Sequence, residues 1–319
     1  NALAGVAGDE GAIGPLVNAA NFLETGSFWD MRHCAPADGE SHDQNQTASP
    51  GIDPEVQDAL FGAVAKLALP KVALPVYGPP DHCNSRGLTT LGEHTIEALA
   101  ARHMLFDPDH MSVKARTSSL DVIDRLGYSG VLSTHSWSTP DAYPRIYRAG
   151  GFIAAYAGDS AKAGSHQGGF VDKWRRHVGW ADPRYYWGFG FGADINGLGA
   201  QGDPRGADAP SPVVYPFRGL GGVVVDRQRS GQRVYDINVD GVAHYGLYPD
   251  WIEDLRRVAG KDGDAIMQDM ARGAEAYLQT WERAYGVRPD ACRNPSLRRP
   301  VATAVALAAR GLTSRQVLD

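Results

Sequence analysis

The segment "MLFDPDHMS", residues 104–112, runs three apolar residues straight into Asp107, Asp109 and His110. Carboxylates and imidazoles are the side chains that move protons near neutral pH and that bind divalent cations. Here they stand where an apolar segment stops, the pattern of a buried strand whose last residues face a site. The feature recurs along the chain. His135 ends "SGVLSTHS", Tyr156 ends the apolar part of "GFIAAYAG" and leads into a polar run, and Asp194 ends "WGFGFGADING".

The intervening segments are helical in pattern. "TLGEHTIEALAARH" places Ile96, Leu99 and Ala100 at helical spacing and feeds "MLFDPDH". "SVKARTSSLDVIDRLG" reads as a helix closed by Gly127 and feeds "SGVLSTHS". "DAYPRIYRAG" precedes "GFIAAYAG", and "FVDKWRRHVGWADPRYY" precedes "WGFGFGADING". Four successive helix–strand units with short connections predict a parallel α/β sheet. With the polar residues at the C-terminal ends of the strands, the expected architecture is a (β/α)8, TIM-barrel-like fold, whose catalytic face is that end. A doubly wound sheet would need a glycine-rich phosphate loop opening a helix. The glycines of "GFGFGADINGLGAQG" include an acidic strand end and open no helix, so they are not read as one.

Composition narrows the function classes. The chain has 319 residues, 43% hydrophobic and 21% charged, with a net charge of -6, the profile of a globular protein with no broad basic field for nucleic acid. No apolar run approaches the roughly 20 residues of a membrane span, and "NALAGVAGDE" lacks a signal-peptide pattern. Cys34 and Cys83 lie in polar loop sequences, "WDMRHCAPADGE" and "GPPDHCNSRG", and Cys292 lies in a basic C-terminal stretch. Three readings stay open: a Cys34–Cys83 disulfide in an oxidising compartment, three free thiols, or a Cys/His zinc site using His33 and His82, which lacks CxxC spacing. The expectation is the disulfide and an extracellular protein.

The landmarks "GLTTLGEHTIEALAARHMLFDPDHMS", "GVLSTHS", "GFGADINGL" and "YGLYPDWIEDLRR", in that order and spacing, resemble the membrane-dipeptidase (renal dipeptidase) family of amidohydrolase-type zinc barrels. The resemblance implies that His110 and His135 are zinc ligands, for one or two ions, and that Asp194 is the proton shuttle between the attacking water and the leaving amine. Asp107 and Asp109 would orient His110. Beside the resemblance, the residue types make Trp137, Arg145 and Tyr156 the expected contacts for a small-molecule, peptide or glycan substrate, a Trp face suiting a sugar ring. Trp137 stands where the family has a substrate-binding arginine, and Arg145 follows a few residues later. Trp187, Arg205 and Arg218 are further residues of types that contact substrates.

The chain departs from the family at two further points. Asn196 replaces the second acidic residue of the family's acidic turn, and no apolar strand leads into an HxH or HxD pair, since His42 and Asp43 lie in the polar "ESHDQNQ". The chain is therefore expected to supply about the C-terminal four strands, with an upstream segment completing the barrel. Residues 1–86 would form roofing loops and a helix, 87–196 the barrel units, 197–245 a lid with a hairpin near Ser230 and Gly231, and 246–319 C-terminal helices and a tail. The expected activity is secreted, zinc-dependent hydrolysis of an amide, peptide or related bond. The alternatives are a glycan- or phosphodiester-cleaving barrel and an inactive barrel used as a binding module.

Overall fold

The computed structural model describes residues 14–35, 43, 77, 80–135, 140–161, 168–193 and 202–287. Packing divides the chain into two units, one holding the elements up to Ala149 and the other those from Gly150 onward together with Thr134 and His135.

The first unit opens with α1 (Gly14–Thr25), β1 (Met31–His33) and β2 (His82–Asn84). The two strands pair antiparallel with Arg32 opposite Cys83, and Cys34 is disulfide-bonded to Cys83 with Cα atoms 4.9 Å apart. Next comes α2 (Thr90–Ala101), which Thr89 caps by accepting the Gly92 N–H at 3.0 Å. Phe106 then bridges in parallel to Val131, its N–H reaching the Gly130 carbonyl at 2.8 Å and its carbonyl the Leu132 N–H at 3.0 Å. Between these partners runs α3 (Val113–Leu126), capped by Ser112 and closed by Gly127 at φ 59°, a left-handed position that suits glycine. β3 (Leu132–Ser133) and α4 (Ala142–Ala149) follow.

Burial explains why these elements hold together. Ile96, Phe106, Leu120, Ile123, Val131 and Ile146 are almost wholly inaccessible. Arg116 is fully buried among them and is answered by the Met111 carbonyl at 3.0 Å and the Asp141 carboxylate at 3.5 Å. Asp43, also fully buried, bonds the unit from a distance in sequence. Its carboxylate accepts the N–H groups of Asn84 and of Val113, each at 2.6 Å, so one side chain ties β2 to the first turn of α3.

The second unit contains β4 (Phe152–Tyr156), α5 (Phe170–Trp180) and β5 (Gly190–Gly192), with β4 and β5 parallel from Ala154 opposite Gly190 to Tyr156 opposite Gly192. An insertion follows, with β6 (Phe217–Arg218) antiparallel to β7 (Val224–Val225), and β8 (Arg229–Ser230) antiparallel to β9 (Arg233–Val234) across a turn at Gly231, φ 59°. It ends at α6 (Ile237–Asp240), and α7 (Tyr248–Ala259), α8 (Gly263–Ala271) and α9 (Gly273–Ala284) complete the unit. Phe170 is the hub of the core, 5.3 Å from the Phe189 ring and 4.8 Å from that of Trp251. The insertion is bonded to α7 by buried carboxylates one helical turn apart. Asp250 accepts the Tyr215 hydroxyl at 2.5 Å, and Asp254 takes the Arg205 guanidinium at 2.5 and 3.0 Å.

Among the described residues the strands run from two to five residues and close no barrel. The parallel contacts across α3 and across α5 are of the kind that helix–strand alternation predicts. The helix expected in the roofing segment is "DPEVQDALFGAVAKLAL", opened by Asp53 and Pro54, and it lies outside the described residues.

Two measurements test this packing. The disulfide closes a loop with a sequence separation of 49 residues, so replacing both cysteines with serine is expected to lower stability by about 4 kcal/mol in denaturant unfolding. His177 is buried, and burial pushes its pKa from 6.5 down to about 3. The unfolded chain therefore takes up a proton that the folded chain refuses, and stability falls as pH drops from 6.5 toward 3. His177→Gln should lose about 2 kcal/mol less than the parent between pH 7 and pH 5. Parallel curves for the two proteins would show that His177 is not the titrating group.

Candidate metal centre

Phe106 leaves its parallel contact and the chain delivers Asp107 and Asp109 directly. The Asp109 N–H donates to Asp107 Oδ1 at 2.9 Å, a turn that brings the second carboxylate back beside the first. At the end of the neighbouring strand, the Ser133 hydroxyl lies 2.9 and 3.0 Å from the two carboxylate oxygens of Asp109. His135 comes two residues later, its Nδ1 3.1 Å from the Thr134 hydroxyl. Asp107, Asp109 and His135 each offer one ligand atom, and these atoms all lie within 4.8 Å of one another.

The donor set is two carboxylate oxygens and one imidazole nitrogen. Those are ligand types that zinc accepts at about 2.0–2.2 Å, and the group has no thiolate that would select a softer ion. The Ser133 hydroxyl and the Asp109 N–H hold the carboxylates in place, as outer hydrogen bonds do around metal ligands. On that chemistry the residues fit a divalent cation.

His110 is not part of this three-residue group. It occupies the left-handed region at φ 64°, directly after Asp109, in a turn closed by the Met111 N–H on the Pro108 carbonyl at 3.2 Å. The carboxylates expected to orient it are the ones gathered with His135. Arg145 is engaged with α3, where Asp121 and Asp124 accept it at 2.7 and 2.6 Å. Tyr156 ends β4 with the Lys173 ammonium 5.7 Å from its ring centroid. Trp187 is buried, Arg205 binds Asp254, and Arg218 reaches the Gly222 carbonyl at 3.1 Å. Asp194, Trp137 and Asn196 lie outside the described residues.

Two features escaped the sequence. Asp43 was set aside as part of a polar loop, and only the fold shows that its carboxylate caps a helix 70 residues away. The second is an aromatic group at the end of β5, in which Phe191 meets Tyr248 at 5.3 Å and Trp251 at 5.4 Å. Its signal was present as aromatic residues alternating with glycine in "WGFGFG" and crowded in "YGLYPDW".

Ser133→Ala removes the hydroxyl that holds Asp109 without touching a ligand atom. Zinc affinity by calorimetry is expected to fall about 10- to 100-fold with an unchanged circular dichroism spectrum. Among the described residues no helix is long and apolar enough to cross a membrane. Compared with known proteins, the chain matches no protein-family model and no curated protein, so its own residues carry the functional reading.

Proposed function

We propose that this protein is an extracellular, zinc-dependent hydrolase of amide, peptide or related bonds, built on a TIM-like barrel of the membrane-dipeptidase kind. The observation that carries the reading is the convergence of Asp107, Asp109 and His135 at strand ends. The Cys34–Cys83 disulfide supports the location, because such bonds persist in oxidising compartments.

A zinc ion held by these three residues would lower the pKa of a bound water to about 7 and polarise a substrate carbonyl. The chain's own contribution is positional and protonic. Ser133 fixes Asp109, the turn at Asp109 fixes Asp107, and Thr134 holds the ring of His135. Asp194, two residues beyond Gly192 in sequence, is assigned the proton transfer. It takes the proton released as water adds to the carbonyl carbon and gives it to the amine nitrogen as the C–N bond breaks. The substrate-facing residues of this reading are Tyr156 and Trp137, with Arg145 committed to α3.

The test combines metal binding with turnover. Asp109→Asn and His135→Ala should each weaken zinc binding by about two orders of magnitude or more, since each removes one of three protein ligands. Asp194→Asn should keep the metal and lose about two or more orders of magnitude in turnover on a panel of peptides and amides. A protein without saturable zinc binding, or one whose products come only from glycans or phosphodiesters in a parallel panel, would end this reading.

A further inference from the structure

Position 192 sits beside His135. A β-carbon there would lie 1.9 Å from the Thr134 carbonyl oxygen and 3.2 Å from the His135 Cβ, so only glycine fits. One residue earlier, Phe191 is 39% exposed. Its ring packs against Tyr248, the first residue of α7, and against Trp251 one turn on. Tyr245, 62% exposed, lies 6.3 Å from Tyr248 with the two rings tilted by only 30°. The group is anchored from α7, where the Trp251 indole N–H donates to the Gly158 carbonyl just past β4 at 3.0 Å. The result is a platform of large rings, two of them open to solvent, starting one residue from the backbone that carries His135.

The hydroxyl of Tyr248 completes the picture. Among the described residues it is shielded from water and has no hydrogen-bond partner. A shielded hydroxyl without a partner is costly, and folded proteins leave few of them without a reason such as a ligand that supplies the missing acceptor. Burial, followed by the neighbouring Tyr245 and Tyr156 phenols, raises its pKa above 10.0, so the group keeps its proton and remains a donor near neutral pH.

We propose that Phe191, Tyr245 and Tyr248 form the subsite for the substrate group next to the cleaved bond, a planar apolar side chain lying on the rings while a carbonyl oxygen beside it accepts the Tyr248 hydroxyl. The ligand class is an aromatic amino-acid amide or its N-acyl derivative. The word substrate rests on the hydrolase reading; the binding chemistry does not.

Binding is therefore measured apart from turnover, on the full chain dialysed against chelator, with N-acetylphenylalanine amide and N-acetylalanine amide as probes. The phenylalanine amide is expected to bind about tenfold more tightly, the scale of partly burying one ring. Tyr248→Phe keeps the ring, and should weaken phenylalanine-amide binding about 3- to 10-fold through loss of one neutral hydrogen bond. Tyr245→Ala, at an exposed position, should narrow the preference between probes. Equal binding of the two amides, or a preference unchanged in both folded variants, overturns the subsite. If the preference holds and depends on Tyr248 while no amide or peptide is hydrolysed, the subsite stands and the hydrolase reading falls. If hydrolysis is found with the same KM for phenylalanine and alanine substrates, the subsite falls and the hydrolase reading stands.

Discussion

The strand ends depend on the close approach of the Thr134 carbonyl to residue 192. The 1.9 Å that would separate that oxygen from a β-carbon is far inside any van der Waals contact, so the absence of a side chain at this one position lets the segment carrying His135 lie against β5. The same demand is made two and four residues earlier. A β-carbon at 190 would lie 2.5 Å from the Phe152 ring, and one at 188 would lie 2.4 Å from the Arg272 backbone. The run "GFGFG", which ends in β5, therefore lets its neighbours approach closely through one set of positions, the Thr134 and Arg272 backbones at 192 and 188 and the Phe152 ring at 190. Through the other set it presents Phe189 to the core and Phe191 to the aromatic platform. The glycines that resemble a phosphate loop are explained by packing.

The buried acids of the second unit show how the rest of that unit is held, and why they are poor choices for chemistry. Asp250 takes the Tyr215 hydroxyl, Glu253 takes Arg256 at 2.7 Å and Arg257 at 2.8 Å, Asp254 takes Arg205 and Ser160, and Asp269 takes the Trp174 indole and Arg272. Each ties one element to another or steadies its own helix. Burial pushes Asp269 up to about 6 even though Arg272 and Trp174 oppose the shift, which measures how dry its surroundings are. The contacts of Asp107 and Asp109 include a backbone N–H and a serine hydroxyl, both of which orient a carboxylate. Contacts of that type are the ones expected around a cation site.

Much of the local structure could be read from the sequence because its causes are local. Ser112 and Gly127 bound α3 through their own capping geometry, and the turn at Gly231 needs a residue tolerant of positive φ. The presence of acids and histidines at strand ends was equally plain, since they interrupt apolar runs. Apart from the Cys34–Cys83 bond, what could not be read was set by contacts between distant segments. Arg145 has the charge to hold a substrate carboxylate, yet Asp121 and Asp124 on the helix packed against it take that charge. Spacing alone also could not show that His110 would fall in a left-handed turn directly after Asp109.

That turn has an identifiable cause. At one end Phe106 is held by its parallel contacts to Gly130 and Leu132, and at the other the first turn of α3 is held by Ser112 and by Asp43, whose carboxylate takes the Val113 N–H. With both ends fixed, residues 107–112 must reverse direction within a short span, and the reversal falls at His110 in the left-handed region. Histidine tolerates that conformation far better than a β-branched residue would, so its occurrence in "FDPDHMS" is accounted for by the backbone before any ligand role is considered. The two aspartates precede the reversal and inherit the direction of the strand, with the Asp109 N–H on Asp107 and the Ser133 hydroxyl on Asp109. The placement of the two aspartates is thus set in part by a helix cap supplied from 70 residues upstream, where Asp43 looked like no more than a residue in a polar loop.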